Sequence, residues 1–342
     1  MDILLLEALI PETRLWLEAR HRVDFQPQLA EDPSALRKAV YKTQALLATP
    51  RVAVTREFLD FAPRLKAVAC MHESLDNIDL EACRDRRIRV IQPASANVRA
   101  NAEYLLAGLL LLFRRGLGMS LSDERRPDVR LGHELHGSVV GMLGLAPAAH
   151  TLALMLAAMG ARLIGYDPAL HHSAPIWERL GIKPVSLAEL MSQSDGVSVQ
   201  MLYASRYVGF INGTVLENCK PGQAWVGVSR SSLFEPQALA GALKDGRIDA
   251  CLLDGVEPAF AAPGSPLHGL SNLCVTPRVA AHTRETRLRA NWYVVDRLHE
   301  AVDAPVNRQE SLDSGLMGLE MPGFMSTRKL ERGDPAFASG IR

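Results

Sequence analysis

Short apolar runs alternate with amphipathic stretches along the first hundred residues of the chain. The apolar runs predict strands at residues 3–6, 45–48, 67–70 and 89–91. The stretches between them predict helices at residues 11–20, 34–41, 57–61 and 79–86. Because strands and helices that alternate in this way form parallel sheets covered on both faces, we expect an α/β domain.

A second alternating region begins at residue 137, after a long apolar helix predicted at 97–115 and a polar connection at 119–136. Its strands are predicted at residues 137–144, 161–167, 196–201, 224–228, 250–253 and 273–275. Its helices are predicted at residues 147–159, 213–219, 235–245 and 284–301. The period stops near residue 307, so we expect two α/β domains followed by a tail.

Composition and charge narrow the classes of protein. The 342 residues carry 38 Lys plus Arg and 38 Asp plus Glu, a balance that argues against broad binding to nucleic acid or an anionic membrane. The longest apolar run, residues 104–113, is about half the length that crosses a bilayer. The N-terminus lacks the basic region of a signal peptide. The five cysteines are scattered, so we expect reduced thiols, no metal centre and a cytoplasmic protein.

Residues 137–167 have the layout of a dinucleotide-binding βαβ unit. An apolar strand enters a tight turn at Gly144, a helix follows, and the next strand ends on Asp167. A carboxylate there accepts hydrogen bonds from the adenosine ribose and repels a 2′-phosphate, so we expect NAD rather than NADP. The loop residues expected to contact the cofactor at the helix N-terminus are Leu145, Ala146 and Ala148.

The loop lacks two of the three glycines in the full G-x-G-x-x-G fingerprint. Ala146 and Ala149 stand in the second and third positions, where glycine normally permits close approach of the pyrophosphate and close helix–strand packing. Each added methyl costs about 1–3 kcal/mol where the surroundings do not adjust. Two interpretations stay open here: a nucleotide-binding domain, and a Rossmann-type fold that no longer holds nucleotide well.

Several collinear motifs between residues 1 and 305 point together to one family. They read LDNIDLEACRDRRIRV, ASANVRANAEYLLAGLLLLFRR, ELHGSVVGMLGL, VSVQMLYASRYVGFIN, WVGVSRSSLFEPQALAGALKDGRIDACLLDGVEP and NLCVTPRVAAHT. Each motif alone is unspecific, but in this order the chain resembles the D-isomer-specific 2-hydroxyacid dehydrogenase family.

The resemblance implies an α/β fold with a Rossmann-type dinucleotide-binding domain inserted into a flavodoxin-like substrate domain. The substrate domain is then residues 1–99 plus 284–306, and the Rossmann domain is residues 100–283. Residues 307–342 are expected to form a flexible tail or, alternatively, an arm that packs on a partner subunit. The resemblance also implies NAD as cofactor, a small-molecule substrate and a homodimer.

The family chemistry uses an arginine for the substrate carboxylate, a histidine for the hydroxyl proton and a glutamate that orients the histidine. Arg230 matches the arginine. The histidine position is occupied by Arg278, which cannot exchange a proton near neutral pH; it is expected to act as a second anion clamp or as a salt-bridge partner. The glutamate position aligns with Ala259; Glu257, two residues earlier, is the candidate for this role if a short backbone shift brings it into place.

Two histidines are candidates for the missing proton shuttle. His282 lies four residues beyond Arg278, and a structural histidine there is the alternative interpretation. His72 lies in the loop that the family uses for the substrate carboxylate. The residues expected to contact the substrate are His72, Glu73, Ser74 and Asn97. The further cofactor contacts expected from the resemblance are Val228 and Asp254, whereas His150 is expected on a solvated face.

Two functions are therefore weighed. The first is an NAD-dependent oxidoreductase that transfers hydride between nicotinamide and a small 2-hydroxy or 2-keto acid, or a related carbonyl, with a non-standard proton donor. The second is a catalytically degenerate family member that acts as a nucleotide-sensing or regulatory binding protein. The presence of Arg230, Asp167 and Asp254 favours the oxidoreductase.

Overall fold

The structure, a computed structural model, describes residues 2–72, 75–115 and 131–303. It divides into two compact units: unit 1, residues 1–92 with 291–342, and unit 2, residues 93–290. Parallel strands and helices form both units, which confirms the predicted fold class, a Rossmann-type unit inserted into the chain of a flavodoxin-like unit. The predicted domain bounds, 1–99 with 284–306 and 100–283, stay a prediction.

Unit 1 contains a five-stranded parallel sheet. Its strands are β1 Ile3–Leu5, β2 Val23–Phe25, β3 Ala45–Ala48, β4 Ala67–Cys70 and β5 Arg89–Ile91. They are ordered β2-β1-β3-β4-β5. Its first helices are α1 Pro11–Glu18, α2 Pro33–Val40, α3 Arg56–Asp60 and α4 Leu80–Asp85. Side chains define where three of these helices begin, because Asp32, Thr55 and Asp79 each accept a backbone N–H of the first turn.

Unit 2 contains a seven-stranded parallel sheet. Its strands are β6 Val139–Leu143, β7 Arg162–Tyr166, β8 Lys183–Pro184, β9 Gly196–Val199, β10 Gln223–Gly227, β11 Ile248–Asp254 and β12 Leu273–Thr276. The order is β12-β11-β10-β9-β6-β7-β8. Its helices are α5 Val98–Phe113, α6 Pro147–Ala158, α7 Pro175–Arg179, α8 Leu187–Gln193, α9 Gly213–Leu216 and α10 Pro236–Lys244. The last helix, α11 Arg284–Asp303, begins in unit 2 and ends in unit 1.

Each sheet has an apolar cluster on both faces, which is why its strands appear in the sequence as continuous apolar runs. Every residue of β3, β4, β9 and β10 is buried. In unit 1, Val294 and Leu298 of α11 pack in the same cluster as Ile3 and Leu5 of β1. This packing returns the end of the described chain to the first strand.

The predicted strands and helices leave out four elements, β2, α7, β8 and α8. The two strands are short and largely without buried apolar side chains, so no apolar run marks them. Helix α8 has a readable signal, because Ser186 and Glu189 form a capping box at its start.

Most of the polar connection at 119–136 and the whole tail at 307–342 lie outside the described residues. No described helix is long and apolar enough to span a membrane.

Candidate functional site

The turn after β6 brings the backbone close to the end of β9. Gly144 has φ +88°, a conformation that favours glycine. A Cβ built there would lie 2.7 Å from the carbonyl oxygen of Gln200 and 2.7 Å from the backbone nitrogen of Met201. Position 144 therefore requires glycine both for its backbone angle and for space, as the tight turn of a dinucleotide loop does.

Most of the loop's backbone amides already have partners in the protein. The N–H groups of Gly144, Leu145 and Ala146 donate to the Tyr166 carbonyl, the Asp167 carboxylate and the Gln200 carbonyl, at 2.8, 2.8 and 3.0 Å. Pro147, the first residue of α6, has no N–H. Among the described residues the N–H of Ala148 has no acceptor, so it is the amide available to a phosphate at this helix end.

Asp167 holds the loop and stands at the predicted ribose position. Its Oδ2 accepts the N–H of Leu145 at 2.8 Å and its Oδ1 accepts the N–H of Ala169 at 2.8 Å. Each carboxylate oxygen keeps a second lone pair for a ribose hydroxyl. An open cavity of about 500 Å³ begins beside Asp167 and is lined by His171, Trp177 and Glu189, among others. These features fit a dinucleotide held by fewer amides than a glycine-rich loop offers.

A second group of residues lies where β10, β11 and β12 end side by side. Asp254, the last residue of β11, is only 7% exposed. Its carboxylate accepts the hydroxyl of Thr276 at 2.5 Å and the backbone N–H groups of Val279 and Ala280 at 2.8 and 3.0 Å. Three donors on one buried carboxylate fold the chain after β12 back onto β11.

A tyrosine extends this hydrogen-bond network. The Tyr104 hydroxyl on α5 lies 2.6 Å from Thr276 Oγ1. Since the Thr276 proton is donated to Asp254, the Tyr104 hydroxyl is the donor in this contact. Burial, with a smaller contribution from Asp254, raises the pKa of Tyr104 to about 12. Tyr104 therefore stays protonated at neutral pH and its proton is held inside the network.

Arg278 extends outward from the turn that Asp254 holds. Its backbone φ is +58°, which is costly for a residue with a Cβ and points to strong local constraint. Its Cγ would lie 3.0 Å from a Cβ built on Gly255. The side chain is exposed, and within the described part of the chain its guanidinium has no hydrogen-bond or ion-pair partner.

Arg230 lies three residues beyond the end of β10 and is half-buried. Its guanidinium lies over the Tyr203 ring at 4.3 Å from the centroid, which fixes the plane of the charge. The neighbouring Ser231 accepts the backbone N–H of Glu257 at 3.4 Å. Gly255 thus lies close to the Arg278 side chain, and Glu257 bonds to the residue that follows Arg230.

The other residues predicted for the site have mixed surroundings. His282 is exposed, and no side-chain hydrogen bond is found for it among the described residues, in contrast to the structural histidine considered from the sequence. Glu257 is exposed at the start of a 3₁₀ helix, and Asn97 precedes the first turn of α5. Val228 follows β10, where its N–H donates to Val199. Glu73 and Ser74 lie outside the described residues.

Unit 1 has a polar edge that sequence analysis found only in part. His72 follows β4, and its buried Nε2 has no partner among the described residues. Glu7, which we did not predict, follows β1 and has a buried Oε2 that is likewise unpaired; burial raises its pKa. The available signal was an acid directly after a buried parallel strand, because ligands bind at the carboxyl ends of such strands.

The expectation of a solvated His150 is wrong. The residue is half-buried on α6 and its Nδ1 is enclosed without a partner among the described residues. Burial lowers its pKa, so the neutral imidazole is favoured. A neutral ring adds no positive charge to the nucleotide loop.

Comparison with known proteins gives a family for this scaffold. Residues 110–280 match the family model described as "D-isomer specific 2-hydroxyacid dehydrogenase, NAD binding domain". The chain is 30% identical over 305 residues to (S)-sulfolactate dehydrogenase of Chromohalobacter salexigens, a match that covers 88% of this chain and 98% of that protein. The NAD-binding model agrees with the cofactor predicted from Asp167, so NAD is the cofactor of this chain.

A longer relative and a solved structure also resemble this chain. The chain is 32% identical over 301 residues to D-3-phosphoglycerate dehydrogenase of Mycobacterium leprae, covering 86% of this chain and 56% of that protein; it thus spans about half the length of that relative. The holo form of D-mandelate dehydrogenase from Rhodotorula graminis superposes with a TM-score of 0.76 at 21% identity, covering 87% of this chain and 93% of the other. This last likeness shows the fold.

The missing amide at Pro147 leads to a first prediction. Pro147→Ala adds one N–H donor at the helix end, and a hydrogen bond to a phosphate contributes about 1–2 kcal/mol. We expect NADH to bind about five- to thirtyfold more tightly to this variant in calorimetric titration. Pro236→Ala, at the start of α10, is the matched control and leaves affinity within about twofold. Equal affinities of Pro147→Ala and the unchanged chain would mean that this helix end does not hold the phosphate.

Proposed function

The chain belongs to the D-isomer-specific 2-hydroxyacid dehydrogenase family, and on that premise we propose that it interconverts a small 2-hydroxy acid and its 2-keto acid. As a member, it is an NAD-dependent oxidoreductase acting on CH–OH groups. The observation that supports the finer proposal is that residues 255–257 lie close to Arg278 and are hydrogen-bonded to Ser231, the residue after Arg230. Two such cations favour an anionic substrate, and a small 2-hydroxy or 2-keto acid carries the carboxylate that they would bind.

Arg230 is proposed as the anchor of the substrate carboxylate. A guanidinium offers two parallel N–H donors to a carboxylate, and stacking on a ring orients that fork. Tyr203 provides such a ring, because the Arg230 guanidinium lies over it at 4.3 Å from the centroid. A half-buried position strengthens the attraction relative to a fully solvated arginine.

Arg278 is proposed to stabilise negative charge on the substrate's carbonyl oxygen. When bound, NADH supplies the hydride that reduces the carbonyl carbon. The oxygen then carries the developing charge, and the Arg278 guanidinium, which is unpaired within the described residues, is a cation that can stabilise it. Asp254 serves as a positioning residue in this scheme, because it holds the turn from which Arg278 extends. Its predicted contact with the nicotinamide amide stays a prediction.

The proton is proposed to come from His282. Arginine keeps its proton near neutral pH, and the proton of Tyr104 is held in the Asp254 network. His282 is exposed, free of side-chain hydrogen bonds among the described residues, and close in sequence to Arg278. Glu257, which the sequence suggested as an orienting carboxylate, is retained as a proposed partner of that histidine.

Family resemblance also supports a homodimer, and the scattered cysteines support a cytoplasmic location; we include both in the proposal. The competing proposal is a nucleotide-sensing or regulatory protein that binds NADH without turnover. Arg278 in the histidine position is the observation that favours it. The two experiments below separate these functions.

The role of Arg278 predicts a kinetic effect of its removal. With a panel of 2-keto acids followed by NADH absorbance, we expect Arg278→Gln to lower kcat for the best substrate about 10²–10³-fold. NADH affinity, measured by calorimetry, should stay within about twofold. Arg287→Gln, in the exposed first turns of α11, is the control and should leave kcat unchanged. A chain that binds NADH and reduces no member of the panel supports the regulatory function instead.

The role of His282 predicts a separate effect. We expect His282→Asn to lower kcat for keto-acid reduction about a hundredfold, since a positioned general acid contributes about 10²–10⁴-fold. The control is His268→Asn, another exposed histidine of unit 2, which should change kcat less than twofold. An unchanged rate in His282→Asn would contradict His282 as the proton donor and would point to water. A loss of activity in His72→Asn but not in His282→Asn would point to His72 as the proton donor.

A further inference from the structure

Three potential metal ligands converge in unit 1, and none of them has a role in the proposed reaction. His21 lies between α1 and β2, and His299 and Asp303 lie one helical turn apart at the end of α11. Residues four apart face the same side of a helix. Helix α11 packs in the same apolar cluster as β1 and Leu17 of α1. This packing brings His299 and Asp303 near His21.

The ligand atoms are close enough for one ion. His21 Nε2 and His299 Nδ1 are 2.8 Å apart, and His299 Nδ1 is 3.3 Å from Asp303 Oδ2. All three atoms lie within 4.8 Å of one another. Tetrahedral Zn²⁺ with bonds of about 2.0–2.1 Å separates neighbouring ligand atoms by about 3.4 Å. The His299–Asp303 distance already matches this separation, and the His21–His299 distance would have to open by about 0.6 Å to admit the ion.

Hydrogen bonds alone do not satisfy all three ligand atoms of this cluster at once. Nδ1 of His299 has two close neighbours, a ring nitrogen and a carboxylate oxygen. A ring nitrogen carries either one proton or one lone pair. If it carries a proton, that proton is shared between two acceptors. If it carries a lone pair, it can accept the Nε2 proton of His21, but it then faces the carboxylate oxygen of Asp303 without a proton between them. A cation at the centre would satisfy all three lone pairs together.

Aromatic packing holds His299 in the cluster. The edge of the Trp16 ring packs on His299 at 5.2 Å between centroids, and Arg20 lies over the same indole. The aromatic contact restricts rotation of His299 out of the cluster.

From this geometry we propose that His21, His299 and Asp303 bind one divalent first-row transition metal ion, with Zn²⁺ as the probe. Two imidazoles and one carboxylate suit zinc, copper or nickel rather than magnesium or calcium, which prefer all-oxygen ligands. Three protein ligands leave a fourth position for water. The ion would cross-link residues 278 positions apart in sequence and so stabilise unit 1 rather than take part in hydride transfer.

The test uses the full chain freed of metal with a chelator. Titration with ZnCl₂ in a calorimeter should show one site per chain, and zinc should raise the melting temperature. Asp303→Asn and His21→Gln should each weaken zinc binding at least tenfold and abolish the thermal shift. Asp303→Asn changes an exposed residue, so it is expected to fold. Asp296→Asn on the same helix and His268→Gln on unit 2 are matched controls and should bind zinc as the unchanged chain does.

Cobalt(II) distinguishes this site from the cysteines. Bound at His21, His299 and Asp303, it should give visible d–d bands without the intense near-ultraviolet band of a thiolate ligand. The proposal is overturned if the unchanged chain binds no zinc, if Asp303→Asn and His21→Gln bind it as well as the controls do, or if a thiolate band appears. None of these outcomes depends on keto-acid reduction, so the proposed function is tested separately.

Discussion

The buried carboxylate of Asp254 is the constraint on which the candidate active site depends. A carboxylate that is 7% exposed must be fully hydrogen-bonded, and its donors are the Thr276 hydroxyl and the N–H groups of Val279 and Ala280. The chain after β12 has to turn back sharply to bring those two amides to β11. Arg278, the residue inside the turn, takes a positive φ as a consequence and extends its side chain outward.

An arginine at position 278 changes the chemistry that is available beside the ends of β10, β11 and β12. A histidine at position 278 would exchange a proton and carry a variable charge. An arginine there carries a permanent charge and donates hydrogen bonds only. In the proposed reaction the site therefore keeps electrostatic stabilisation of an oxyanion and leaves proton transfer to a different group. The nucleotide loop shows a parallel change, because Pro147 and the internally bonded amides leave Ala148 as the available donor.

The alternation of apolar runs was sufficient to predict every strand except the edge strands β2 and β8, because buried parallel strands appear in the sequence as apolar runs. The positions of Gly144 and Asp167 were likewise readable, since each ends a predicted strand, whereas Arg230 was identified by its match to the family motif. Hydrogen bonds such as that from Leu145 to Asp167 depend on how two strand ends meet, which local sequence does not encode. For the same reason the burial of His150, the unpaired Glu7 and the convergence of His21 with His299 emerged only from the three-dimensional structure.

The central claim is that Asp254 acts by holding Arg278, and a double-mutant cycle in kcat/KM tests it most directly. The cycle compares Asp254→Asn, Arg278→Gln and the double variant, with the 2-keto acid that the unchanged chain reduces fastest and with thermal melts to verify folding. Residues that act as a unit lose activity non-additively. We predict that the double variant is no slower than the slower single variant. Losses that multiply in the double variant would show that the two residues act independently and would contradict the account.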